Sequence, residues 1–211
     1  MGMVGSWWLT ISKKDFMMSS VQLFLPKWPS SHGSVWAVGI AGTYSLVWWL
    51  NSSPPLGLEV VEDRVSLIHL PAFVRVAAVM IGGLAGWLGI WLGSLFLAFA
   101  VLDDAPLVAL LNATAATLSV GLAAILVAGW TGKRSGCLKS INIRSMLLTA
   151  GLAALLNAAF HNFVWQSHGL TLSLSEFWMM VAGDLGGVAL GYLLLRAGLR
   201  IYRSRRGSSQ P

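Results

Sequence analysis

Residues 65–101 read VSLIHLPAFVRVAAVMIGGLAGWLGIWLGSLFLAFAV, a run in which Arg75 is the only formally charged side chain. One helical crossing of the roughly 30 Å hydrocarbon layer takes about 20 apolar residues. The run is too long for one crossing and close to the length of two. Gly82, Gly83 and Gly86 fall at its middle, where a tight turn between antiparallel helices needs backbone freedom that a Cβ removes. Two spans are therefore expected, at about 65–81 and 85–102.

Working outward, four further spans are expected. Ser34 to Leu50 is short but closed by Trp48 and Trp49, and a polar loop with Pro54, Pro55, Glu59, Glu62, Asp63 and Arg64 follows it. Asp103, Asp104 and Pro106 end the glycine-rich run, and 106–130 is the fourth span. A basic, polar segment from Thr131 to Asn142 separates it from spans at 144–165 and 174–197, which are joined through Ser167, His168 and Gly169. The expected fold is thus an all-α polytopic transmembrane helix bundle of about six spans. It divides into an N-terminal interfacial segment (1–33), the six-helix domain (34–197) and a basic cytoplasmic tail (198–211).

Composition supports lipid as the solvent. Of 211 residues 56% are hydrophobic and 10% charged, with a mean hydropathy of +0.71, against about 25% charged residues in a soluble domain. The net charge of +6 does not point to nucleic acid, because the basic residues lie in loops and a tail beside apolar spans and act as topology determinants. The positive-inside rule places the 131–143 loop and Arg200, Arg203, Arg205 and Arg206 in the cytoplasm. Tracing back, the N-terminus with Lys13, Lys14 and Lys27 is also cytoplasmic. Every basic residue except Arg64 and Arg75 then falls on or near that side, and six of the eight acids fall on or near the other.

The N-terminus lacks the form of a cleaved signal peptide, since Lys13 and Lys14 interrupt the apolar residues around Trp7, Trp8, Phe16 and Met17. Cys137 is a lone thiol without metal-type spacing, and Asn51-Ser52-Ser53 matches the short glycosylation acceptor pattern.

Small residues let helices pack closely in lipid. Gly183, Gly187 and Gly191 form one such stripe and Ala85, Gly89 and Gly93 another. Both are expected to seal contacts within the bundle, with the contact of spans three and six as a candidate bistable element. Ionisable residues inside a membrane are costly and mark function by default. Arg75 and Asp184 each lie ten residues from the outer end of their spans, about 15 Å deep at 1.5 Å per residue, and are expected to pair. A structural clasp is the competing reading.

Above them a polar layer is expected from His69, His161, Asn162, Asn157, Asn112 and Glu176. Together with Arg75 and Asp184, all of these except Asn162 make up the expected ligand-binding set. Trp165 and Trp178 are candidate walls, and both also fit an ordinary interfacial belt. His69, His161 and Glu176 have ligand chemistry suited to zinc, but their spacing does not specify a site, so no metal or cofactor is assigned. No nucleophile elbow, zinc-protease helix or phosphate loop occurs, so an enzyme is not expected.

Leu70-Pro71-Ala72-Phe73-Val74-Arg75, the glycine-rich stretch through Leu92-Gly93-Ser94, the surroundings of Asn112, and Trp178-Met179-Met180-Val181-Ala182-Gly183-Asp184-Leu185-Gly186-Gly187 together resemble the MASE1 integral membrane sensory domain of bacteria. The resemblance covers about 65–197. It implies an inner-membrane module that senses a small ligand and signals through an output domain. The spans are fewer than is usual in that family, and the 14 residues after span six leave no room for an output domain. A partner protein is therefore expected to carry the output. Two other readings remain open at this point: a substrate-capturing subunit similar to those of energy-coupling-factor transporters, and an accessory subunit of a larger membrane complex.

Overall fold

Proline stands in the first turn of two helices, at Pro71 and Pro106, where its missing N–H costs nothing and its fixed φ favours the helical start. Among the described residues no proline interrupts a helix interior. The long apolar runs accordingly form helices in the computed structural model, which describes residues 33–53, 59–61, 65–100, 105–131, 143–169 and 173–207. The elements are α1 (Gly33–Ser52), β1 (Glu59–Val61), β2 (Val65–Ser66), α2 (Leu70–Ala100), α3 (Pro106–Thr131), α4 (Ile143–Ser167) and α5 (Leu174–Gly207). The fold is an all-α helical bundle carrying a small antiparallel ribbon, β1–β2, with Glu59 opposite Ser66 and Val61 opposite Val65. The expected interfacial segment, apart from Gly33, and Cys137 lie outside the described residues.

Four helices are long and apolar enough to cross a membrane: Leu70–Ala100, Pro106–Thr131, Ile143–Ser167 and Leu174–Arg203. α1 has 20 residues, but three tryptophans, a tyrosine and several small polar residues make it less apolar. The expected count of six spans thus meets five helices, because spans two and three are one helical element, α2. This element reverses direction at Gly83, whose φ is +54°. A Cβ on Gly86 would collide with the Ala78 carbonyl, although eight residues of continuous helix would separate the two by about 12 Å. Ala78 also shares an apolar cluster with Ile90 and Leu97 from the other side of the turn. The expected glycine turn is present, as a near-contiguous helical hairpin.

One boundary is corrected. The second span was expected from residue 65, but helix begins at Leu70, and 65–66 belong to β2. The physical reason lies in α5. Gly183 and Gly187 present bare backbone, and the carbonyls of Ser66 and His69 occupy the space their Cβ atoms would need. His69 N–H donates to the Gly183 carbonyl at 2.9 Å, so the strand-like approach to α2 is pinned along α5. The start of α2 is then capped by Asn51, whose Oδ1 accepts from Leu70 N–H at 3.0 Å while its Nδ2 donates to Ser66 Oγ at 3.4 Å. Asn51 is 1% exposed and committed to this cap, which leaves it unsuited to the glycosylation its sequence pattern suggested.

The two small-residue stripes do not meet each other. Gly89 and Gly93 pack against Ala37, Ile40, Ala41 and Tyr44 of α1, whereas Gly183 and Gly187 pack against residues 66–70 and Gly191 against Phe73. Among the described residues the glycine-lined contact of spans three and six expected as a bistable element is not formed by these stripes, because each is filled by a different neighbour. The main core joins Val76, Val79 and Met80 of α2 to Val120 and Ala124 of α3, Met146 and Ala150 of α4, and Val188 of α5. Large apolar side chains instead face outward, including Trp130 (79% exposed), Phe163 and Leu174. α5 has 34 residues, about 51 Å at 1.5 Å per residue, and carries Arg196, Arg200, Arg203, Arg205 and Arg206 on its last turns.

Candidate functional site

Because α2 starts deep against α5, its sixth residue, Arg75, lies level with Asp184 in the eleventh position of α5. α4 brings Asn157 to the same place. The three side chains close a ring. Arg75 Nη2 donates to Asp184 Oδ1 at 2.9 Å, Arg75 Nη1 to Asn157 Oδ1 at 2.8 Å, and Asn157 Nδ2 to Asp184 Oδ2 at 2.9 Å. All three are buried: Arg75 is 4% exposed, Asn157 3% and Asp184 3%. The ring fixes the Asn157 amide, because its oxygen can serve only the guanidinium and its nitrogen only the carboxylate. It matches one cation to one anion and satisfies both oxygens of the carboxylate, which is what makes a charge pair tolerable away from water.

Above the ring lies a cavity of about 140 Å³ whose walls come from α1, α2, α3, α4, α5 and the β2–α2 connection. Of the seven residues expected to form a ligand site, six line it: Arg75, Asp184, Asn157, His69, His161 and Asn112. His161 Nδ1 lies 3.3 Å from Asn112 Oδ1. Which of the two groups donates in this contact depends on the imidazole tautomer. The His161 ring packs at 5.5 Å and 41° on Trp165, which also lines the cavity.

Glu176 is the exception. Its Oε2 accepts from Ser173 N–H at 2.6 Å, while Glu176 N–H donates to Ser173 Oγ at 3.2 Å. This is a reciprocal capping box at the start of α5, and the residue does not line the cavity. The sequence pattern Ser173-x-x-Glu176 carried that signal directly. Trp178 does not line the cavity: it is 55% exposed and packs edge-on against Phe177 at 5.3 Å. Asn162 accepts from Gln166 Nε2 at 3.2 Å and is not part of the wall. No group of three His, Cys, Asp or Glu side chains among the described residues is arranged to hold a metal ion.

Sequence reasoning missed Tyr44, Trp48 and Ser94, which complete the cavity on the α1 side. The four-residue spacing of Gly89 and Gly93 signalled a close neighbour, but nothing in it named α1. Ser94 Oγ is buried and has no hydrogen-bond partner among the described residues.

Fold and site together define a class: an apolar helical bundle with a closed Arg–Asn–Asp ring beneath a polar, aromatic-walled cavity. No protein-family model matches the chain, and no curated protein or solved structure matches it.

Proposed function

We propose that this chain is a bacterial inner-membrane sensory module of the MASE1 kind. In this reading it binds a small polar ligand and signals through a partner protein, with no chemistry of its own. The observation that carries the proposal is the convergence of six polar residues from α2, α3, α4, α5 and the β2–α2 connection on one cavity. A clasp alone needs only the charged ring. His69, His161 and Asn112 add polar groups around an open space, the usual make-up of a small-molecule site.

The proposed topology has six crossings with both ends cytoplasmic. α1 supplies the first, the two arms of α2 the second and third, and α3, α4 and α5 the rest. The first arm, 70–82, is only about 20 Å long as helix. The preceding residues 65–69, at roughly 3.3 Å each in extended form, supply the remaining depth. Non-helical backbone at such depth is tolerated where it is packed in protein and borders a cavity, as 66–69 do here.

The test is a thermal-shift screen of polar metabolites on the purified full chain in detergent, repeated on Asn112→Leu. A metabolite that raises the Tm of the wild type but not of the folded variant would support the reading. If no polar metabolite stabilises the wild type, the clasp reading replaces it. Co-purifying partners set the biological role: kinase or cyclase proteins fit sensing, whereas ATPase subunits would move the chain to transport.

A further inference from the structure

The charge and hydrogen-bond inventory of the cavity restricts what can occupy it, on the reading that it is a ligand site. Among the lining residues Arg75 and Asp184 carry the formal charges, and they cancel at 2.9 Å. A charged ligand of either sign would add an uncompensated charge to a cavity whose own charges already cancel, a costly outcome in a low-dielectric interior.

The unused hydrogen-bonding groups are mostly donors. Arg75 uses two of the five N–H groups of a guanidinium. Asn112 engages its oxygen, and its Nδ2 has no partner among the described residues. Ser94 Oγ has no partner among the described residues, and Ser94 lines the cavity. The acceptors are the rings of His161 and His69, each of which offers one accepting nitrogen when neutral. Both oxygens of Asp184 and the oxygen of Asn157 are already engaged.

Size and wall chemistry add a further limit. A cavity of about 150 Å³ accommodates benzene, and this one measures about 140 Å³. Tyr44, Trp48 and Trp165 add aromatic surface to the lining, which suits the flat side of a ring.

We infer that the ligand is an uncharged, single-ring molecule bearing an amide or lactam edge. Its carbonyl accepts from the Ser94, Asn112 and Arg75 donors, and its N–H donates to an accepting histidine ring nitrogen of the cavity. The ring lies between the aromatic walls, and the Arg75–Asn157–Asp184 ring remains closed beneath it.

The experiment uses three probes of one shape: benzamide, benzoate and benzylammonium. Binding to the full chain in detergent is followed by tryptophan fluorescence and calorimetry. Saturable binding of benzamide, with benzoate and benzylammonium at least tenfold weaker, is the expected result. Ser94→Ala should weaken benzamide by about two- to tenfold, the effect of one neutral hydrogen bond, and Asn112→Leu by at least as much. Tighter binding of benzoate or benzylammonium than of benzamide would overturn the inference while leaving a ligand site in place. Wild-type affinity in both variants would overturn the assigned contacts. Absence of saturable binding for all three probes would overturn the inference and remove support from the ligand-site reading beneath it.

Discussion

At Arg75, Asn157 and Asp184 the energetics are those of a closed circuit in which each side chain satisfies the other two. Removing one partner leaves a buried charge exposed to hydrocarbon-like surroundings, which costs about 3–5 kcal/mol. Arg75→Ala and Asp184→Ala should each lower stability by that amount in denaturant titrations of the detergent-solubilised protein. The double variant should fall short of the summed losses by about 1–3 kcal/mol, the coupling expected of contacting residues. Strictly additive losses would mean that the pair does not form. Asn157→Leu should have an intermediate effect, since it strands two hydrogen-bonding groups but leaves the charge pair matched. The Arg75–Asp184 pairing was legible in sequence because two ionisable residues sat at matching depths in apolar runs. The third member of the ring was less so, since an asparagine in a helix carries no charge that demands a partner. Glu176 was misread for a related reason: depth along a helix does not distinguish a cavity wall from a cap.

At the scale of elements, the decisive contact is between the backbone of 66–69 and the glycines of α5. Gly183 and Gly187 hold no space in reserve, since the Ser66 and His69 carbonyls stand where a methyl group would go. Gly187→Ala should therefore destabilise the fold by about 1–3 kcal/mol, the usual effect of overpacking. On the proposed ligand-site reading it should also weaken binding by displacing His69. Gly151 on α4 has no atom within 4 Å of an added Cβ. Gly151→Ala should be neutral or stabilising by up to about 1 kcal/mol through helix propensity. Thermal melts of the two variants side by side would separate a packing requirement from a mere tolerance of glycine. The stripe Gly183–Gly187–Gly191 was visible as a close-packing face, but its occupant was not. Helical periodicity reports which face is smooth, whereas the neighbour is chosen by tertiary geometry, here by an extended strand where a helix was expected.

Across the whole molecule, apolar bulk lies outside and small or polar residues lie inside, the arrangement expected when lipid replaces water as solvent. Helix existence was therefore easy to read, and α3 and α4 match their expected limits to within two residues. The number of crossings was harder, because α1 mixes aromatic, small and polar residues and the first arm of α2 is short. The six-crossing topology predicts that single cysteines at Ser53→Cys and Ser135→Cys, in a Cys137→Ser background, react with an impermeant thiol reagent from opposite sides of sealed vesicles. Labelling of both from one side would remove that topology.

The length of α5 has a mechanical consequence. From Asp184 to Arg203 the helix continues without a break, a distance of about 28 Å. A helix is stiff along its axis, so a small piston or twist imposed at Asp184 would arrive at the basic end as displacement of the same rod. A protein gripping those last turns would feel whether the cavity is full without ever touching it.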